Sequence, residues 1–185
     1  MRKVLYILGQ LSDTDVDWLA NMGQRIQVVK GTELIKFGVE ISNLYIVLEG
    51  ELSIQTNKGF ELAKISSGEI LGEMSLVDSR PPSASVLVLQ DATLLELDKV
   101  VLQEKLDMDT GFSSRFYRSI AIFLSERMRS LVGQMGYGDP SDETSSDLGE
   151  LDPDELDPDE LDANVLDNVH LAGARFERLL AKLMK

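Results

Sequence analysis

The residue types best placed to do chemistry lie between Gly68 and Val86. The run reads Gly68-Glu69-Ile70-Leu71-Gly72-Glu73-Met74-Ser75-Leu76-Val77, then Asp78-Ser79-Arg80-Pro81-Pro82-Ser83-Ala84-Ser85-Val86. Gly72 opens a short helical turn, and the free amides at the start of such a turn favour an anion. Glu73 places a hydrogen-bond acceptor in that first turn, while Ser83 and Ser85 place hydroxyl donors at the start of the next strand. Together these groups suit a small phosphate ester. Gly-Glu pairs and Ser-rich loops are common, so the same residues also fit plainer roles. Glu73 then serves the helix dipole, Arg80 faces solvent or pairs with Asp78, and Ser83 and Ser85 are strand-edge hydroxyls.

Other chemistries find little support. The chain has no cysteine, which removes disulfides, thiolate metal sites and a Cys nucleophile. Its single histidine, His170, leaves no basis for a histidine metal cluster or a catalytic triad, so an enzyme is not expected. Lys and Arg number 18 against 32 Asp and Glu, a net charge of -14. Nucleic acid needs a basic footprint, so it is not the expected partner. Apolar runs such as Ile120 to Leu124 fall far short of the roughly 20 residues a membrane span requires. The basic start, Met1-Arg2-Lys3, precedes an apolar stretch from Val4 to Leu8 too short for a signal peptide. It reads as an opening strand or arm, and the expected compartment is the cytoplasm.

The elements that must position the segment follow from periodicity. The length, 185 residues, suits about one domain. Ser12 with Asp15 forms a helix start, and Val16, Leu19 and Ala20 mark one face as far as Met22. From Arg25 the pattern changes to short alternating runs separated by turns at Lys30-Gly31, Gly38, Glu49-Gly50, Asn57-Lys58-Gly59 and Ser66-Ser67-Gly68. Val86 to Leu89 and Leu94 to Leu97 complete the set. Many short strands at this spacing predict a mainly β fold with helices, an antiparallel jelly roll. Asp98 caps a short helix, and a longer one runs from about Ser113 to Gln134 with Phe116, Ile120, Phe123, Leu124, Met128 and Leu131 on one stripe.

The charge is concentrated in one stretch. Asp139 to Asp162 holds 12 acidic residues and no Lys or Arg, which leaves 20 acidic against 18 basic elsewhere. Within it Leu151-Asp152-Pro153-Asp154-Glu155 is repeated as Leu156-Asp157-Pro158-Asp159-Glu160. Proline every five residues forbids a continuous helix, and like charges extend the chain, so a solvated linker is expected. A last helix follows from Ala163, with Val165, Val169, Ala172, Phe176, Leu179 and Leu183 alternating spacings of four and three. The expected organisation is a roll over residues 1–110, a long helix over 111–137, an acidic linker over 138–162 and an amphipathic helix over 163–185.

The segment Leu44-Tyr45-Ile46-Val47-Leu48-Glu49-Gly50-Glu51-Leu52, the glycine turns and Leu71-Gly72-Glu73-Met74-Ser75-Leu76 together resemble the cyclic nucleotide-binding domain family. This is the family of the catabolite activator protein and the protein kinase A regulatory subunit. The likeness runs from roughly Leu11 to Gln134, and Gly72 to Ser85 resembles the family's phosphate-binding cassette. It implies a non-enzymatic regulatory module, Crp/Fnr-like, whose C-terminal helices respond to the cassette. By resemblance the ligand residues are Gly72, Glu73, Met74, Arg80, Ser83, Ala84 and Ser85, with cyclic AMP or cyclic GMP as the ligand. Glu73 matches the residue that binds the ribose 2'-hydroxyl, and Ser83 and Ser85 match residues that help to hold the cyclic phosphate.

One position departs from the pattern. Without gaps the family arginine falls on Pro82, and Arg80 lies two residues earlier. An arginine makes charge-assisted, often bidentate bonds to phosphate. Such bonds contribute about 1.5–3 kcal/mol each, so the loss costs on the order of a hundredfold in affinity. Two readings follow: Arg80 reaches the phosphate through a rerouted Pro81-Pro82 loop and the site takes a cyclic nucleotide, or the site is degenerate or holds another ligand and the domain works as an interaction module. A transcription factor of the catabolite activator type is disfavoured, because an acidic linker and one helix stand where its DNA-binding domain would be. The expected partners are another protein, through Val165, Val169, Phe176, Leu179 and Leu183, and a second copy through the long helix. The linker is expected to hold the last helix away from the roll, with Phe176 and Leu179 as central anchors; the alternative is that this helix covers its own domain.

Overall fold

Two four-stranded antiparallel sheets face each other in the computed structural model of the protein, which describes residues 5–134 and 163–183. The strands are β1 (Gln24–Val28), β2 (Glu33–Ile35), β3 (Asn43–Glu49), β4 (Leu52–Gln55), β5 (Glu61–Ile65), β6 (Ile70–Leu71), β7 (Ser85–Val88) and β8 (Ala92–Asp98). One sheet has the order β1-β8-β3-β6 and the other β2-β7-β4-β5, so consecutive strands repeatedly cross between sheets, as the jelly-roll expectation requires. The helices are α1 (Leu5–Gln10), α2 (Asp13–Met22), α3 (Met74–Val77), α4 (Lys99–Met108), α5 (Thr110–Gln134) and α6 (Ala163–Leu183).

The core has two layers, and β3 divides them. Tyr45 and Val47 point between the sheets with Ile35, Leu52, Ile65, Leu71, Val86 and Leu94. Leu44, Ile46 and Leu48 point the other way, into a helical layer with Leu8, Leu19, Phe112, Phe116, Ile120 and Phe123. A strand covered on both faces reads as a continuous apolar run, which is why Leu44 to Leu48 lacks the alternation of a half-exposed strand. Gly50 has a φ of 104°, and a Cβ there would lie 2.6 Å from the Cβ of Ala92, so only glycine fits this turn.

The helix boundaries follow local chemistry. Ser12 caps α2: its Oγ accepts from the Asp15 amide at 3.2 Å, and its own amide donates to Asp15 Oδ2 at 2.7 Å. Asp98 caps α4 by accepting from the amides of Val100 and Val101. α5 is continuous for 25 residues and buries Phe112, Phe116, Ile120 and Phe123, while Met128 on the expected stripe is 62% exposed.

Two expectations are corrected. The start of the chain is not a strand or arm: Leu5–Gln10 is helical, and Leu8 and Leu11 are buried in the helical layer. The last helix is not held away from the roll. α6 packs along α1 and α2, with Ala172 and Leu179 fully buried and Phe176 and Leu183 partly so. Ion pairs hold it there, from Arg175 to Asp13 and from Arg178 and Lys182 to Asp17. The heptad seam therefore finds its cover in its own chain. The side chains of Val165 and Val169, and the whole acidic stretch from Asp139 to Asp162, lie outside the described residues.

Candidate functional site

The segment expected to carry chemistry leaves β6 at Leu71 and turns sharply. Gly72 has a φ of 85°, and a Cβ there would meet Ile41 Cδ1 at 2.9 Å and the Asn43 carbonyl oxygen at 3.0 Å. Both the backbone sign and the close approach demand glycine. The turn delivers Glu73 inward, and α3 follows from Met74 to Val77. Ser79 then adopts a positive φ of 56° and starts the loop that returns to β7.

Glu73 is 3% exposed, and its Oε1 accepts from Arg127 Nη1 of α5 at 2.9 Å. Burial pushes the Glu73 carboxyl above its ordinary range, while the charges of Arg127 and Lys99 and its own backbone amide pull it down. The Arg127 guanidinium lies 5.0 Å over the Phe123 ring, and its Nη2 is buried with no hydrogen-bond partner among the described residues. Lys99, at the start of α4, donates to Ser75 Oγ at 2.5 Å and to the Ile41 carbonyl oxygen at 3.2 Å. Burial depresses its ammonium, with the Glu73 charge opposing. Ser75 in turn donates to the Gly72 carbonyl oxygen at 3.2 Å. The cassette turn is thus tied to α4 and α5 by two cations. Beside it a cleft of about 320 Å³ runs between α3 and α4, lined by Ser75, Ser79, Lys99 and Gln103 among others.

The other site residues do not converge on Glu73. The Arg80 side chain is 83% exposed, and its Nε lies 3.9 Å from Asp78 Oδ2. Its amide also donates to Asp78 Oδ1 at 3.1 Å. Arg80 thus lies on the solvent side beside Asp78, away from Glu73. Pro82 accepts from the Gly38 amide through its carbonyl oxygen at 2.9 Å, which pins the loop against the β2–β3 connection. Ser83 is exposed and Ala84 half-buried. Ser85 donates to Glu33 Oε1 at 2.9 Å and accepts from the Phe37 amide at 3.0 Å, so its hydroxyl is engaged at the β2 edge. Met74 is half exposed.

Arg127 and Lys99 were missed from sequence. Arg127 had a legible signal. It lies four residues beyond Phe123 and seven beyond Ile120, in phase with the apolar stripe of α5. A cation in phase with a buried stripe needs a buried anion. Lys99 follows a helix cap and has no such mark. Among the described residues no group of three or more His, Cys, Asp or Glu side chains could hold a metal ion. No described helix is long and apolar enough to cross a membrane.

Comparisons with known proteins converge on one domain type. The family model described as cyclic nucleotide-binding domain matches residues 25–109. A cyclic nucleotide-binding domain from Methylobacillus flagellatus KT superposes with a TM-score of 0.66 at 24% identity, covering 80% of this chain and 85% of that one. The Thermus thermophilus catabolite activator protein gives a TM-score of 0.59 at 25% identity, covering 71% of this chain and 62% of that one. The cGMP-dependent protein kinase egl-4 of Caenorhabditis briggsae is 31% identical over 96 residues, which are 52% of this chain and 13% of the kinase. The chain therefore spans only a small part of the length of that curated relative.

Proposed function

We infer function from one premise: the chain belongs to the cyclic nucleotide-binding domain family. It is a regulatory, non-enzymatic member, and its segment from Gly72 to Ser85 resembles the cassette of that domain type. We propose that cyclic AMP and cyclic GMP bind it weakly or not at all, and that it works as a switch or scaffold through its helical layer.

The observation that carries this reading is the course of the Arg80 loop. Arg80, the cation of the cassette loop, is 83% exposed and lies 3.9 Å from Asp78. Pro82, in the place of the family arginine, has neither a charge nor an amide to offer. Ser85, the expected phosphate donor, is engaged with Glu33 and Phe37. Glu73 keeps the position of a ribose acceptor, yet its carboxylate already carries Arg127. A ligand here would meet a carboxylate already paired with Arg127 and no arginine from the cassette loop. Titration calorimetry with cyclic AMP and cyclic GMP tests this: binding in the micromolar range or tighter overturns it.

A second reading has one observation in its favour. Arg127 Nη2, beside Glu73, is a buried donor without a partner among the described residues. A ligand hydroxyl or phosphate oxygen reaching it would gain a charge-assisted hydrogen bond. On this reading the chain is a true cyclic nucleotide-binding signalling protein that uses Arg127 rather than Arg80. Loss of binding in an Arg127→Lys variant, with Arg80→Ala unchanged, would identify it. DNA binding has no support from the helices: after α5 the described residues hold only α6.

A further inference from the structure

The seat of α6 defines what the surface of α1 and α2 recognises. Arg175 Nη1 donates to the carbonyl oxygens of Leu8 at 3.2 Å and Gly9 at 3.0 Å, and its Nε donates to Asp13 Oδ1 at 3.0 Å. Leu8 and Gly9 lie in the last turn of α1, where carbonyl groups have no intrahelical partner. One guanidinium thus fills a slot made of two helix-end carbonyls and a carboxylate, a place that suits a cation electrostatically as well. Three residues on, Arg178 forms a fork with Asp17: Nε and Nη2 each lie 2.7 Å from a carboxylate oxygen. Lys182 adds a second cation to the same carboxylate at 2.9 Å. Between these cations run Ala172, Phe176, Leu179 and Leu183, which pack on the helical core. The surface therefore reads a helix with cations and apolar residues at three- and four-residue spacing.

The connection does not force α6 into this seat. Residues 135–162 separate it from α5, a stretch of 28 residues that reaches at most about 95 Å. The described roll with its helices has a radius of gyration of about 14 Å by its size. A connection of that reach does not by itself hold α6 in this seat, so the contacts of α6 do. Its seat is occupied by contacts, and contacts of the same chemistry from elsewhere compete for it.

We propose that the α1–α2 surface is a docking site for a basic amphipathic helix of a partner protein, and that α6 is its resident competitor. The partner helix carries an arginine for the Leu8–Gly9–Asp13 slot and a second cation three residues on for Asp17. An apolar seam that begins with a small residue takes the places of Ala172, Phe176 and Leu179. Asp13 and Asp17 give this surface the charge that suits such a helix. The partner gains access by displacing α6, so α6 sets the threshold for docking. This inference does not depend on what the cassette binds.

The probe is a fluorescent peptide of residues 163–185, titrated by anisotropy into the full chain carrying Arg175→Glu and Arg178→Glu. These changes take from the resident helix its two arginine pairs and leave only Lys182 on Asp17. The peptide is expected to bind this variant about tenfold or more tightly than it binds the unaltered chain. Adding Asp17→Lys to the variant is expected to abolish binding. No binding to the variant, or binding indifferent to Asp17→Lys, overturns the proposal. Hydrogen exchange on the unaltered full chain gives a test free of any folding defect. Amides of α6 are expected to exchange through an opening that leaves α5 protected; exchange of α6 only together with α5 would make it a fixed part of the core and overturn the proposal.

Discussion

The Glu73 carboxylate and the Arg127 guanidinium meet at 2.9 Å across 54 residues of sequence, and the carboxylate is 3% exposed. This pair joins the cassette turn to the long helix. Its members come from the two parts that the proposed switch has to couple. Breaking it strands a buried charge on the side that remains.

Arg127→Leu is therefore expected to lower stability by about 3–5 kcal/mol, because Glu73 is left buried without its cation. Glu73→Gln in the same chain is expected to recover most of that loss, since a neutral amide is far cheaper to bury than a carboxylate. Urea unfolding of the two variants, followed by the fluorescence of Trp18, checks both. A double variant no more stable than Arg127→Leu would place the cost in lost packing on Phe123 instead.

Restoring an arginine at the family position tests the cassette directly. Pro82→Arg returns a cation to the loop and frees a backbone amide. Cyclic nucleotide affinity is expected to rise on the order of a hundredfold, the equivalent of one charge-assisted bond pair. Arg80→Ala is expected to leave any residual binding unchanged, because its side chain is turned to Asp78. Calorimetry on both variants reads the outcome; a fall in binding for Arg80→Ala would restore Arg80 to the site.

The sequence carried the roll and its helices because each had a local cause. Ser12 with Asp15, the turn at Glu49-Gly50 and the cap at Asp98 each fix a boundary through neighbours a few residues away. The strand order could not be read that way, since pairings such as Gln24 with Glu96 join distant segments. The site was legible by half. Glu73 follows from its glycine turn, but its partner Arg127 lies on another element, and only its phase on the α5 stripe marked it. The placement of Arg80 beside Asp78 was legible, because that carboxylate lies only two residues before it. The opening helix and the seat of α6 were hidden together: each is the cover of the other, so neither pattern alone named its partner.

The outer side of α5 carries apolar residues that the fold does not cover. Tyr117 is 38% exposed, Met128 62% and Val132 38%. Spacings of eleven and four residues place them on one side of the helix. Covering such a stripe favours association, and we propose that two copies meet here. Light scattering is expected to give twice the chain mass, and Tyr117→Glu with Met128→Glu is expected to return it to one. A single-chain mass for the unaltered protein at high concentration would remove this interface.

Asp15 makes stability depend on acid in a defined direction. It is 4% exposed and sits between the cap of α2 and Arg115 of α5, whose Nε and Nη2 lie 2.6 Å and 2.9 Å from its two oxygens. Burial pushes the carboxyl up, but the bonds from Arg115 and Ser12 outweigh it, and the net displacement is below the ordinary 3.8. A depressed carboxyl in the folded state stabilises the fold at every pH above its unfolded value, and that contribution is lost as pH falls beneath 3.8. Arg115→Met leaves the buried carboxylate without its cation and is expected to cost about 3 kcal/mol at neutral pH. The gap between the unaltered chain and the variant is expected to narrow as pH falls toward and below 3.8, because without Arg115 burial favours the protonated Asp15 in the variant's fold, while the two unfolded chains titrate alike. Urea unfolding read through Trp18, which packs 5.4 Å from Phe112 beside this pair, follows both chains on one scale. A gap that stays constant from neutral pH to pH 3 would assign the loss to side-chain packing of Arg115 rather than to its charge.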